Sequence, residues 1–360
     1  MNREIIALTS IRGVAAIWVL IFHYLMPINR DVACVSCYIP FLQKGVLAVD
    51  LFFILSGYIL SFVYYDKLFN SRHELSKSTV ILFLKARLSR VYPLHLFTLS
   101  ILVIWTGIMC EVFPEYLMNS RNNIETLIYN IFLVQSWGVW EDASWNKPSW
   151  SISAEFFAYL IFPFFIAFVL KTYKQRVVIV GFIMIIVMII YRDFYDGKTF
   201  GFGDGEALYR CLVEFIYGVL GFVITKKNNL KFVEFLEKSW IQIILVIILL
   251  CSISMSDYES LVILLYLPLI ISISHDNGLI SNILKYKGFH YLGVISYSIY
   301  LNHALMLFVY RDIRVYFFGF PPSLGLMTES IIFLILTVCT ILVSHLTYTY
   351  IEDRLRKKLK

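Results

Sequence analysis

Charge is what this sequence has least of. Asp, Glu, Lys and Arg make up 16% of its 360 residues, while 59% are hydrophobic. Soluble domains carry about 25% charged and roughly 45–50% apolar residues. The deficit excludes an ordinary water-soluble globule and points to an all-α, polytopic membrane protein. Cysteine is also sparse: six in the chain exclude a disulfide scaffold. Only Cys34 and Cys37 lie close together, and a zinc site needs four ligands where that loop offers two, so no metal is expected. There is no Walker motif and no Gly-x-Ser-x-Gly elbow. The lone Gly-rich turn Gly201-Phe-Gly-Asp-Gly205 lacks the strand and helix that a phosphate loop requires. Repeats and low-complexity tracts are absent too, so one transmembrane domain over 1–360 is expected, with no soluble domain appended.

What the sequence does have is apolar length. Ten spans are predicted, at about 5–28, 45–65, 91–110, 152–170, 177–191, 207–225, 240–255, 259–274, 291–310 and 328–350. The first is too long for a cleaved signal peptide, and no small-residue cleavage site ends it. With both termini cytoplasmic, 21 of the 31 Lys and Arg fall on the inner side. The net charge of +6 therefore reads as lysine and arginine retained inside, and no nucleic-acid partner is expected. The outer segment at about 111–151 is too polar at both ends for two clean spans. Its middle, Ile124 to Trp137, suits an interfacial or re-entrant helix. The run Trp137/Trp140/Trp145/Trp150 reads most simply as a headgroup-level anchor, and alternatively as a shelf for stacking on sugar rings.

The first span holds two residues that hydrocarbon does not favour, Arg12 and His23. An arginine at the membrane centre costs at least ~2.5–3.5 kcal/mol on insertion scales, so it needs a partner or a function. Eleven residues is about three helical turns, so the two share a face within roughly 20°, about 16 Å apart along the axis. Asp50 in the second span and Glu155 in the fourth are expected at the depth of His23. A carboxylate beside an imidazole fixes its tautomer and stabilises the imidazolium, as a general base requires. The competing reading is three satisfied polar groups that hold helices together.

At the mouth of the third span, Arg87 and Arg90 are three apart and share a helix face. Such a pair suits phosphates through bidentate, charge-assisted bonds, although for the pair standing alone ordinary positive-inside charge at lipid headgroups is the simpler account. Together with Arg12 it suggests a path from an anionic cofactor head inside to a base near the outer face. Arg210 and Glu214 are four apart and expected to pair within their helix. Tyr297 and His303 line one side of span nine, where they either touch substrate or serve as core hydrogen-bonding groups. Trp150 is a further candidate for substrate contact. His95 and His345 are expected near the cytoplasmic interface.

Several of these stretches, in this order, resemble acyltransferase family 3. They are Arg12 and His23 with ten residues between, Val49-Asp50-Leu-Phe-Phe-Ile-Leu-Ser-Gly57, the Phe83-to-Arg87 and Arg87-to-Arg90 spacings, Trp150-Ser-Ile-Ser-Ala-Glu155, and Ser296-Tyr-Ser-Ile-Tyr-Leu-Asn-His303. The family comprises membrane proteins that acylate bacterial surface polysaccharides and similar acceptors. The resemblance implies that Arg12 and His23 are essential and that Arg87 and Arg90 help to bind the acyl donor, usually acetyl-CoA. It implies a multi-pass protein of the bacterial inner membrane whose partners are a polysaccharide or lipid-linked glycan and membrane lipids. Two departures stand out. Asn302 precedes His303 where an aromatic or apolar residue is expected, and no esterase-like domain follows the tenth span, which argues against relay of the acyl group through such a module.

The resulting expectation is an integral-membrane O-acyltransferase. Acyl-CoA phosphates meet Arg87 and Arg90, and the pantetheine arm runs beside Arg12. His23, oriented by Asp50 or Glu155, takes the proton of a glycan hydroxyl. The rival reading is a secondary transporter or flippase of a polysaccharide precursor, whose intramembrane charges would relay protons.

Overall fold

The computed structural model describes residues 4–28, 40–68, 75–119, 121–139, 143–171, 175–194, 206–228, 230–255, 259–319 and 324–359. Cys34, Cys37, Trp140 and the Gly201–Gly205 turn lie outside the described residues. Every element among the described residues is a helix. The long ones are α1 (Ile6–Ile28), α2 (Leu47–Tyr64), α3 (Lys77–Val112), a short α4 (Ile124–Ile131), α5 (Trp150–Lys171), α6 (Gln175–Phe194), α7 (Glu206–Asn228), α8 (Ser239–Ser254), α9 (Glu259–Ile273), α10 (Lys287–Val294), α11 (Ser296–Asp312) and α12 (Leu326–Thr347).

All ten predicted spans fall on helices. Among the described residues, five are long and apolar enough alone to cross a membrane, over Ile6–Leu25, Leu47–Tyr64, Lys77–Val112, Lys147–Val169 and Leu326–Leu359. A sixth arises if α10 and α11, bent by 65° about their junction, count as one broken span. Helices α8 and α9 have 16 and 15 residues. At 1.5 Å per residue they reach about 22–24 Å, short of a hydrocarbon core of about 30 Å. The bend and the two short helices set these three elements apart from the five that qualify among the described residues.

Two close backbone crossings hold the bundle. A Cβ on Gly57 of α2 would lie 2.0 Å from the Phe215 carbonyl oxygen of α7, and one on Gly218 would lie 2.0 Å from the Ile54 oxygen. Small residues let helices in lipid approach this closely, where dispersion contacts must replace the hydrophobic effect. A buried ion pair reinforces that crossing: Arg210 Nε and Nη2 donate to the two Asp50 oxygens at 2.8 and 2.6 Å. Glu214 stands 3.9 Å from Arg210 Nε, so the expected pairing within α7 is secondary to the one across to α2. The second crossing joins α1 to α10, where a Cβ on Gly293 would meet the Thr9 oxygen at 2.1 Å and one on Gly13 the Gly293 nitrogen at 2.4 Å.

The segment after α3 folds back along it. Asn123 and Thr126 form a reciprocal capping box that starts α4, and its far end bonds deep into the bundle. The Tyr92 hydroxyl donates to the Ile131 carbonyl at 2.7 Å, and His95 Nε2 meets the Asn130 carbonyl at 2.8 Å. Ser153 Oγ donates to the Leu133 carbonyl at 2.8 Å. Tyr92 is twenty residues before Val112, so the segment returns about 30 Å along α3, as a re-entrant element does. Two expectations change as a result. His95 is fully buried against Asn130 instead of lying at an interface. Trp145 and Trp150 are buried side chains, with Trp145 Nε1 donating to Thr126, so they pack against protein and not against lipid headgroups. His345 is exposed and meets the Tyr291 hydroxyl through Nδ1.

Candidate active site

Call the end where α1 begins the lower end. A lower cleft of about 760 Å³, open mouth included, is lined by Arg12, Arg87, Arg90, Glu155, Tyr159, Ser296 and Tyr297, with Val49, Phe52, Phe53 and Tyr300 above them. Five helices deliver these residues, with Val49, Phe52 and Phe53 coming from α2. Arg12 projects from α1, and Arg87 and Arg90 come from one face of α3. Glu155 and Tyr159, four apart, come from α5, and Ser296, Tyr297 and Tyr300 from α11. The Tyr297 hydroxyl donates to the Val91 carbonyl at 2.5 Å. This contact, two residues before Pro93, ties α3 to α11.

Arg87 does not spend all its donors on the protein. Arg87 stacks on Tyr64, 5.6 Å from guanidinium carbon to ring centre, and its buried Nε has no hydrogen-bond partner. Ser296 Oγ is likewise buried without one. Arg12 sits in the electrostatic field of Arg90, Glu155, Tyr159 and Glu352. Three guanidiniums facing two carboxylates leave the cleft net cationic, suited to an anionic ligand with several phosphate oxygens.

An upper cavity lies farther along the same α1 stripe. It is lined by His23, His303, Trp150, Trp145, Phe22, Phe308 and Tyr300, with Lys44, Arg121, Lys147, Arg311 and Glu259 toward its opening, and encloses about 2040 Å³ including that opening. The His23 and His303 rings are 5.0 Å apart, centroid to centroid. His23 Nδ1 lies 3.0 Å from the Val19 carbonyl, and His303 Nδ1 lies 3.3 Å from the Ile299 carbonyl. With each Nδ1–H donated four residues back, each Nε2 carries the lone pair. The buried Nε2 of His303 has no hydrogen-bond partner.

The predicted residues therefore divide into two groups. Arg12, Arg87, Arg90, Glu155 and Tyr297 meet below, and His23, His303 and Trp150 meet above. Two placements correct the sequence reading. Glu155 is not at the level of His23; five residues carry α5 about 7.5 Å down from Trp150 and bring the carboxylate to the arginines. Asp50 lines neither cavity. It follows Val49 by one residue, about 100° around α2, which turns it toward α7 and Arg210. Backbone carbonyls take the orienting role assigned to these carboxylates.

Sequence reasoning missed Tyr159, Tyr300 and Glu352. Tyr159 lies one turn from Glu155, and Tyr300 lies three residues before His303, so helical spacing signalled both. Glu352 is buried in a π-turn, Tyr348–Glu352, that extends α12, and accepts from Ser298 Oγ at 2.9 Å. Its place beside the basic tail hid it. Asn302, the departure in span nine, donates to Thr347 Oγ1 at 2.8 Å and fastens α11 to α12. No group of three or more His, Cys, Asp or Glu suited to a metal occurs among the described residues.

Val49 and Tyr300 line both cavities, so one wall separates them. With this geometry in hand, the likeness to known proteins is informative. A family model described as an acyltransferase domain, of the acyltransferase 3 type, matches residues 5–349. O-acetyltransferase OatA of Staphylococcus aureus is 26% identical over 389 aligned positions, covering 99% of this chain and 58% of the relative. Acyltransferase MdmB of Streptomyces mycarofaciens is 31% identical over 175 positions, covering 47% of this chain and 41% of the relative. A putative O-acetyltransferase of S. aureus is 27% identical over 395 positions, covering 99% and 58%. The chain thus spans a little under three-fifths of the length of the O-acetyltransferases it matches. No solved structure matches it. On a family match that runs nearly from end to end, the chain belongs to acyltransferase family 3.

Proposed function

We propose that this protein is an integral-membrane O-acyltransferase that moves an acetyl group from acetyl-CoA to a hydroxyl of an envelope polysaccharide or lipid-linked glycan. The carrying observation is that a net-cationic cleft and a two-histidine cavity, on one stripe of α1, meet at the single wall of Val49 and Tyr300. The phosphates of the donor bind Arg87 and Arg90 in the lower cleft. Arg12, flanked by Glu155, guides the pantetheine arm upward. The acceptor sugar lies above, where Trp150 and Trp145 offer apolar faces. Arg12 marks the cytoplasmic side and His23 the outer side of the bacterial inner membrane, with both termini inside.

His23 Nε2 takes the acceptor's hydroxyl proton while that oxygen bonds to the acyl carbonyl carbon. The carbon–sulfur bond breaks, and the coenzyme leaves as a thiolate that is then protonated. General-base help of this kind is typically worth 10²–10⁴-fold. His303, beside His23, contacts the acceptor or receives the proton onward. Asp50 holds α2 against α7 through Arg210.

Purified protein in detergent, given radiolabelled acetyl-CoA and candidate glycans, tests the proposal. Label in the glycan is the expected result. Transport of an unlabelled glycan by reconstituted vesicles, with no acyl transfer, would make the protein a transporter instead.

A further inference from the structure

Any acyl group that passes from donor to acceptor must cross the wall between the two cavities. We propose that Tyr300, with Val49 opposite it, sets the length of the acyl group transferred, and that this wall selects a two-carbon group over longer ones. The inference rests on the O-acyltransferase reading above and names the determinant of its donor.

Tyr300 is 6% exposed and held at both ends. Its hydroxyl bonds Ser151 Oγ at 2.8 Å and the Pro148 carbonyl at 3.0 Å, while its ring meets Phe52 edge-on, 6.0 Å between centroids. The same ring is 5.7 Å from that of His303. A carbonyl carbon within reach of the histidines must therefore sit at the level of Tyr300. A longer acyl chain lying at that level meets Val49, Phe52 and Tyr300, the side chains that cap the lower cleft. Displacing a ring anchored by two hydrogen bonds costs more than displacing a free one, because the bonds must break as it moves. The wall is also apolar at this height, which disfavours an acyl group bearing its own carboxylate.

Detergent-permeabilised membranes that contain the full chain and the envelope glycan of the producing cells provide the test. Acetyl-, propionyl- and butyryl-CoA are supplied together at equal concentration, and glycan esters are released and measured by mass spectrometry. The wild type is expected to transfer acetyl in large excess. Tyr300→Ala and Val49→Ala should each raise the butyryl-to-acetyl ratio at least about tenfold, the scale of discrimination that one or two methylenes give in an apolar pocket. Tyr300→Phe, which keeps the ring, should leave acetyl strongly preferred. Should Tyr300→Ala fail to accumulate, Val49→Ala and the narrowing Val49→Ile carry the same test from the other side of the wall. Equal transfer of butyryl and acetyl by the wild type, or unchanged ratios in the opened variants, overturns this inference alone. Absence of ester from every donor overturns the O-acyltransferase reading and this inference with it.

Discussion

His23 and His303 face each other across 5.0 Å from two different helices, each held through Nδ1 by the carbonyl four residues earlier in its own helix. Both rings thus present Nε2 without help from a carboxylate. A base so held is fixed in tautomer and direction by the helix that carries it.

Replacing His23 removes one of those two nitrogens. His23→Ala should lower glycan acylation by about 10²–10⁴-fold, while the protein still inserts and elutes as a single species in detergent. Wild-type ester formation by a well-inserted variant would remove His23 from the chemistry.

The donor side is tested through binding. Arg87→Ala and Arg90→Ala should each weaken acyl-CoA binding by about ten- to a hundredfold, since hydrogen bonds to charged groups are worth about 1.5–3 kcal/mol. Titration calorimetry with CoA measures this directly. The loss should shrink with a CoA analogue that lacks one phosphate, and unchanged affinity in both variants would refute a phosphate role.

Asp50 gives a different signature. Its removal leaves Arg210 buried without its principal counter-charge, and breaking such a pair costs about 3–5 kcal/mol. Asp50→Ala should therefore lower thermal stability in detergent sharply. Replacing Asp50 and Arg210 together with apolar residues should recover much of the loss. Full stability with activity abolished would instead place Asp50 in the reaction.

Helix proximity can be probed at the glycines. Gly57→Ala and Gly218→Ala each put a methyl group 2.0 Å from a carbonyl oxygen and should cost about 1–3 kcal/mol or more, visible as loss of monodisperse protein. Gly107→Ala, with nothing within 4 Å of the added carbon, should be tolerated.

What the sequence made legible was position along helices. Arg12 and His23 could be assigned to one stripe because helical period alone determines that, and the arginine pair on α3 followed from the same rule. Azimuth was not legible. The depth of Asp50 gave no sign that its side chain turns to α7, because that depends on where α7 packs. The apolar run places the start of the fourth span at residue 152 and so sets Glu155 too high, whereas the helix begins at Trp150 behind a loop that itself descends into the bundle. The fold-back after α3 was anticipated only as one alternative, since a capped eight-residue helix has too little hydrophobic pattern to declare its depth. Glu352 could not be found from pattern at all. A π-turn brings it inward, and in sequence it looks like the start of a charged tail.

Tyr297, Tyr300 and His303 follow one another at three-residue intervals on α11, so a single rigid rod bears the tie to α3, the partition and an imidazole within about 9 Å. Any tilt of that rod that widens the passage also drags the ring nitrogen off its mark. Access and reactivity are therefore yoked on this side of the protein. A lineage drifting toward bulkier cargo has a freer hand at Val49, whose helix holds neither histidine.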